Sequence, residues 1–422
     1  MNKKSTPRKP LSRKPVIVLA FSGGLDTSFC ALWLQEELGA EVVTATVQTG
    51  GFGAKEIAGI RARALSLGAK AHHLLEGRGR VYERFVSTLI RGNVLRGRVY
   101  PLSVAAERVV QAEMTASLAR EIGAQGLCHG STGAGNDQFR FDGAFRALAP
   151  ELSVYTPIRD MGLSREQETE YLSSRGHAVP AKTTAYSVNA GLWGTTVGGK
   201  ETHDPWAEVP ESAFPSAGPV PDRPRESVIG FSKGLPVSLD GKALEGPALV
   251  EELNLIGRSF RIGRGIHIGD TVCGIKGRVA FEAPAPMLLI AAHRELEKLV
   301  LTGKQAFYKD QAAEYYGQLL HEGLAFDPAM EDLEALIASS QRRVEGESRL
   351  RLREGRFEVT GVRSPFSLMN AGATYGEGSS LWTGKEAAGF AKLHALPMVL
   401  AAAAKGPPSS QHGRSPLAKG TR

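Results

Sequence analysis

Cysteine is scarce. Cys30, Cys128 and Cys273 are the three in the chain, and no two form a CxxC pair. That spacing excludes a disulfide framework and a thiolate zinc site, and it suits a reducing compartment. Long apolar runs are missing as well. Residues 16–21 are too short for the core of a signal peptide, and residues 395–404, interrupted by Pro397, are too short to span a bilayer. Both chain ends lack acid. Residues 1–15 carry Lys3, Lys4, Arg8, Lys9, Arg13 and Lys14, and residues 405–422 carry Lys405, Arg414, Lys419 and Arg422. The net charge of +7 therefore belongs to the two tails, and the body between them carries −3. Pro/Ser/Gly-rich ends of this kind read as disordered and solvated rather than as nucleic-acid arms. The expected setting is cytoplasmic.

What is abundant is glycine: 49 of 422 residues, against a usual share of ~7%. Residues 16–21 (VIVLAF) read as a buried strand, SGGLDTS as a turn, and FCALWLQEEL as a helix stopped by Gly39. A second strand (41–51), a helix (55–67), a third strand (71–75), a long helix (103–122) and a strand at QGLCHG follow. VYTPIRD reads as one more strand, and Ser164 with Gln167 forms a capping box. This alternation predicts an α/β, doubly wound parallel sheet. Beyond it lie a proline-rich loop (204–225), hairpins at 227–239 and 348–362, and helices near 287–302, 305–322 and 329–342, an α+β pattern. The expected organisation is a tail (1–15), a nucleotide-binding domain (16–180), an α+β domain (181–380), a helix (381–404) suited to an oligomer contact, and a tail (405–422).

The strongest chemical signal is Ala20-Phe21-Ser22-Gly23-Gly24-Leu25-Asp26-Thr27-Ser28. Two glycines at a strand-to-helix turn can aim backbone N–H groups at one point, and the helix N-terminus and hydroxyls add donors. That nest suits a phosphate or pyrophosphate, and Asp26 beside it suits an accompanying Mg²⁺. A GxxxxGK match at residues 194–200 fails at Glu201 and follows no apolar strand, so it is set aside. GxGxxG fails after Gly135. The second signal is CHGSTGAGNDQFRFD, residues 128–142, leaving a strand end. Its Asp137 suits an ammonium, and its Arg140 suits a carboxylate.

The SGGLDTS loop resembles that of the N-type ATP pyrophosphatases. The second string, with AYSVNAGLWG (185–194), GIKGRVAFEAP (274–284) and EGLAFDP (322–328), resembles the argininosuccinate synthase family. The resemblance implies an adenine nucleotide alpha hydrolase-like domain with a synthetase domain, assembled as a homotetramer. The implied chemistry is ATP-dependent ligation of citrulline to aspartate through citrullyl-AMP, with ATP and Mg²⁺ as co-substrate and no prosthetic group. It further implies that residues 20–28, Val47 and Gly130 contact ATP. Tyr100, Asn136, Arg140, Ser187 and Thr196 would hold citrulline, and Thr132, Asn136 and Asp137 aspartate. Arg108 is a further carboxylate partner. No resident metal site and no side-chain general base are assigned. His129 serves equally well as a structural hydrogen-bonder, and His72-His73 has no companion ligands.

Three positions depart from the family pattern. A serine expected after Tyr100 falls at Ala105, with Ser103 nearby. A glutamate expected to face the substrate falls at Gly269, next to Asp270, and a tyrosine is Phe281. These losses weaken the hold on a free α-ammonium and leave open whether free or N-acylated citrulline is preferred. Two competing readings are a tRNA-modifying pyrophosphatase, disfavoured by the unpaired cysteines and acidic body, and a non-catalytic nucleotide-binding module, disfavoured by the intact loops.

Overall fold

Five short strands with no charged residue facing the core make the first layer. The structure, a computed structural model, describes residues 14–179, 186–216, 218–370, 375–376, 378 and 380–404. The expected tails at 1–13 and 405–422 lie outside the described residues. The first part runs β1 (Val16–Ala20), α1 (Leu25–Leu38), β2 (Glu41–Gln48), α2 (Ala54–Ser66), β3 (Ala71–Glu76) and α3 (Arg78–Val81). After a π-helical turn at Tyr82–Val86 come α4 (Ser87–Gly92), α5 (Ser103–Glu121), β4 (Gly126–Cys128), α6 (Asp137–Leu148), β5 (Ser153–Tyr155), α7 (Pro157–Met161) and α8 (Arg165–Ser173).

The sheet order is β3-β2-β1-β4-β5, all parallel. Alternation along β1 explains its two-sided burial. Ile17 and Leu19 face a core shared with Phe29, Leu34 and Ile60, while Val18 faces Ala112, Ala116 and Phe145. Helices thus cover both faces, as an all-parallel sheet requires. The order reverses beside β1, so the loops after β1 and β4 diverge and leave a crevice at their carboxyl ends.

The second part contains β6 (Tyr186–Gly191), β7 (Gly194–Gly199), β8 (Arg225–Ser232), β9 (Leu235–Leu239), β10 (Lys242–Ala243), α9 (Gly246–Ser259), β11 (Arg264–Asp270) and β12 (Lys276–Glu282). It continues with α10 (Pro284–Val300), α11 (Gly303–Glu322), α12 (Pro328–Ser340), β13 (Gly346–Arg353) and β14 (Arg356–Arg363). Two antiparallel sheets result, β10-β9-β8-β13-β14 and β11-β12-β7-β6. One apolar core runs from Leu89 and Val109 through Trp193 and Phe281 to Leu296, Tyr316 and Leu350. Residues 1–366 form one unit and 367–422 another. In the latter, α13 (Gly384–Ala404) contains Pro397 and buries no residue.

One local expectation is corrected. The strand at VYTPIRD ends at Tyr155, because Pro157 opens α7 at its first turn. Residues 137–148, for which no element was expected, are helical, since Phe141, Ala144 and Phe145 fall on one buried face. Residues 194–199, likewise without an expected element, form a strand paired with both β6 and β12. Their glycines and threonines gave no apolar alternation to read. The Ser164 capping box is present, with Ser164 Oγ accepting from the Gln167 N–H at 3.3 Å.

Candidate active site

A cavity of about 1040 Å³ lies over the carboxyl ends of β1, β2 and β4. One end of it is the turn between β1 and α1. Gly24 is the N-cap of α1 in an extended conformation, leaving the first helical N–H groups free of side-chain caps. Gly23 has φ +77°, and a Cβ there would come within 3.1 Å of Ile60 Cγ1. The positive φ favours glycine there, and a side chain would also need Ile60 to yield slightly. Ser22 Oγ and Thr27 Oγ1 lie 3.3 Å apart above it. Gly130, from the loop after β4, passes so close that a Cβ would sit 3.2 Å from the Asp26 carbonyl carbon.

Behind this loop, Glu168 of α8 is 2% exposed and faces Asp26. Burial first, and the Asp26 charge second, push its carboxyl up to about 8, so it is protonated at neutral pH. Among the described residues no three His, Cys, Asp or Glu side chains cluster as a metal site. Asp26 supplies a carboxylate beside the β1–α1 turn, a hard oxygen ligand of the kind Mg²⁺ takes.

The middle of the cavity is an ionic clasp. Arg108 Nε donates to Asp137 Oδ2, and Arg140 Nη1 donates to Asp137 Oδ1, each at 2.9 Å. Burial pushes the Asp137 carboxyl up, but Arg108 and then Arg140 outweigh it and hold it below the usual carboxylate range. Arg108 Nη2 also donates to Asn189 Oδ1 (2.7 Å), and Nη1 to Gln111 Oε1 (3.0 Å). Val104, Arg108, Gln111 and Thr115 line the wall at helical spacing along one face of α5.

The facing wall is the β6–β7 hairpin, pressed against the end of β2. A Cβ on Gly51 would lie 2.0 Å from the Ala190 carbonyl oxygen. The Leu192 N–H donates to the Thr49 carbonyl at 2.7 Å. Glu107 sits beneath, accepting from the Trp193 N–H (3.3 Å) and the Thr49 hydroxyl (3.4 Å). Burial raises its carboxyl to about 8, with Arg108 opposing.

The far end is built by Tyr100, Arg96, β11 and α11. Tyr100 stacks on His267 (5.6 Å between ring centroids) and leans on Phe281 (5.5 Å). Arg96 Nη2 donates to the Asp270 carbonyl, and Arg140 Nη2 to the His321 carbonyl, each at 2.9 Å. Burial, then the Arg96 and Arg140 charges, push His321 down to about 4 and keep it neutral.

The expected contacts distribute as follows. Ala20, Phe21, Ser22, Gly24, Leu25, Asp26, Thr27, Val47 and Gly130 line one end. Tyr100, Arg108, Thr132, Asn136, Asp137, Arg140, Ser187 and Thr196 line the rest. Gly23 and Ser28 are not on the wall. Ser28 is buried, and its hydroxyl accepts from Arg63 Nε at 3.2 Å. Ala105 and Phe281 are buried off the wall, whereas Gly269 and Asp270 are on it. His129 is a structural hydrogen-bonder: its Nδ1 accepts from the Ser131 N–H (3.2 Å), which leaves Nε2–H to donate to Asp142 (2.8 Å).

Sequence reasoning missed Thr49, Arg96, Gln111, Asn189, His267, Arg278 and His321 on the wall. The polar spacing along residues 104–115 could have revealed Gln111. Nothing local marks the others, which arrive from distant segments.

Residues 16–180 match the family model described as the arginosuccinate synthase N-terminal HUP domain, and residues 186–401 match the arginosuccinate synthase C-terminal domain. The chain is 41% identical to an argininosuccinate synthase of Xanthomonas campestris over 91% of this chain and 97% of that protein. It is 38% identical to one of Dictyoglomus thermophilum (91% and 96% covered) and 36% identical to one of Methanocaldococcus jannaschii (91% and 97%).

Proposed function

The chain belongs to the argininosuccinate synthase family, and from that premise we propose how its cleft divides the work of the reaction. The enzyme is an ATP-dependent carbon–nitrogen ligase. It joins citrulline to aspartate with release of AMP and pyrophosphate, giving argininosuccinate in arginine biosynthesis. The observation that carries the assignment of residues is the single cavity of about 1040 Å³, with a phosphate nest at one end and an arginine–aspartate clasp in its middle. At that volume the cavity stands at the upper end of the ~300–1,000 Å³ usual for ligand pockets.

The triphosphate lies on the N-terminus of α1, against Ser22, Gly24 and Thr27. Val47 and Gly130 flank the nucleoside. Asp26 faces the Mg²⁺ that comes with the nucleotide and neutralises phosphate charge. Tyr100, Asn136, Arg140, Ser187 and Thr196 position citrulline so that its ureido oxygen meets the α-phosphorus. The P–O bond to pyrophosphate breaks, and the helix N–H groups hold the departing charge. Thr132, Asn136 and Asp137 hold aspartate, whose amine, once deprotonated, attacks the activated ureido carbon. AMP leaves with its electron pair. Proximity in one water-poor cleft, rather than a dedicated side-chain base, supplies most of the acceleration.

The protein works in the cytoplasm as a homotetramer, with α13 as an assembly contact. Free Cys30, Cys128 and Cys273 and the apolar outer residues of α13 support that reading. The helix Gly384–Ala404 is long and apolar enough to cross a membrane by length and composition, but Pro397, Lys385, Glu386 and Lys392 within it favour a protein interface. A pyrophosphate-release assay with ATP and Mg²⁺ tests the whole reading. Omission of either amino acid abolishes steady release, and formation of ADP and orthophosphate instead would overturn it.

A further inference from the structure

The cavity wall carries five arginines and, among the described residues, no lysine: Arg96, Arg108, Arg140, Arg165 and Arg278. Four of the five are engaged. Arg108 and Arg140 clasp Asp137, and Arg96 donates to the Asp270 carbonyl. Arg278 donates to the carbonyls of Glu201 and Ala207, at 2.9 and 2.8 Å. Arg165 is exposed, and among the described residues its guanidinium makes no hydrogen bond and no ion pair.

The docking of α8 on α1 fixes where that free cation stands. The two helices run in the same direction. Glu168 faces Asp26, the Tyr171 ring packs on Phe29 (4.5 Å between centroids), and Tyr171 Oη–H and Arg175 Nε donate to Glu36 at 2.7 and 2.8 Å. These contacts advance together along both helices, so Arg165, the first residue of α8, stands beside the first turn of α1. Glu168 lies three residues on, along the same helical face, and feels the Arg165 charge.

Helix stability does not account for a cation there, because the first turn of a helix favours anions and Arg165 opposes the dipole of α8. The turn beside it has the complementary deficit. Ser22, Gly24 and Thr27 offer only neutral donors, and the charged neighbours on that wall, Asp26 and Glu56, are acids. Pyrophosphate gains negative charge as it departs, and a fixed cation meets that charge better than neutral donors alone.

We propose that Arg165 binds the pyrophosphate half of ATP, its guanidinium donating to the β- and γ-phosphate oxygens as the bond to the α-phosphorus breaks. The inference rests on the ligase reading above and adds no step to it. The electron pair of the broken P–O bond passes to the β-phosphate oxygen, and Arg165 offsets the charge that appears there. A planar guanidinium spans two phosphate oxygens at once, which an ammonium does not.

The test uses the full-length protein and its Arg165→Ala and Arg165→Lys variants, with ATP, Mg²⁺, citrulline and aspartate. The readouts are kcat, the KM of each amino acid, and inhibition by added pyrophosphate and by added AMP. In Arg165→Ala, kcat is expected to fall roughly 10²-fold. The inhibition constant for pyrophosphate should rise about tenfold or more, while that for AMP and both amino-acid KM values stay unchanged. Arg165→Lys should fall between Arg165→Ala and the wild type on both affected readouts. An unchanged pyrophosphate constant, or equal weakening of pyrophosphate and AMP, would overturn this inference alone. A wild type that releases no pyrophosphate would overturn it together with the ligase assignment.

Discussion

Asp26 and Glu168 put function and stability in opposition at a distance of one side chain. On the function proposed above, Asp26→Asn removes the charge meant for the nucleotide's cation, and its pyrophosphate-release rate should fall by roughly 10²–10³. The same change relieves Glu168. A carboxyl held at about 8 when folded, against 4.5 ordinarily, contributes stability that is fully present below pH 4.5 and lost as pH rises through about 8. Asp26→Asn should therefore melt roughly 1–3 °C higher than the wild type at pH 8.5 and no higher at pH 5, as read by calorimetry. Glu107 obeys the same sign. Glu107→Gln keeps the acceptor for the Trp193 N–H and should be near neutral below pH 4.5 and increasingly stabilising as pH rises toward 8. Glu107→Ala strands that N–H and the Thr49 hydroxyl, which costs about 1–3 kcal/mol in urea titration. At this scale the sequence was legible where a motif is contiguous. SGGLDTS declares itself, because its strand, turn and helix are adjacent in the chain. Arg96, His267 and His321 were not, because each is an ordinary polar residue until tertiary packing aims it.

Among the elements, α5 acts as the strut of the cleft. Val110 and Leu118 anchor it in the interior, while Arg108 and Gln111 present its polar face to the cavity. The apolar period was readable; the polar one was overlooked because exposed and cleft-facing polar residues look alike in sequence. The β6–β7 hairpin was harder still. Its glycines and threonines are set by contact, not by propensity: Gly51 lets Ala190 approach, and Gly191 meets the Glu107 carboxyl so closely that a Cβ there would overlap it at 1.9 Å. Gly51→Ala must push this hairpin away from β2 and carry Ser187 and Asn189 with it. Its KM for both amino acids should rise about tenfold with little change in the KM for ATP, which steady-state kinetics would reveal. Equal loss toward all three substrates would argue for global misfolding instead.

On the scale of the whole molecule, the parallel sheet was the most legible feature, since each apolar strand is punctuated by its own turn. The antiparallel sheets were less so, because β7 pairs with β12 across more than one intervening element. The helix α13 exposes Leu393 (68%), Leu396 (43%) and Leu400 (60%) at spacings that share one face. An apolar stripe of that kind suits the assembly contact proposed above. On that proposal, Leu393→Asp/Leu400→Asp should lower the mass of the assembled protein in light scattering. A mass unchanged by the double substitution would refute α13 as an assembly contact.

The Arg140 and Arg96 side chains are held by carbonyls of His321 and Asp270, both supplied much later in the chain. On the ribosome, the parallel sheet and its glycine loop emerge before either carbonyl has been made. A nascent fragment ending before residue 270 thus owns a nucleotide grip without an acceptor chamber. Translation itself withholds ligation until the last wall has been made.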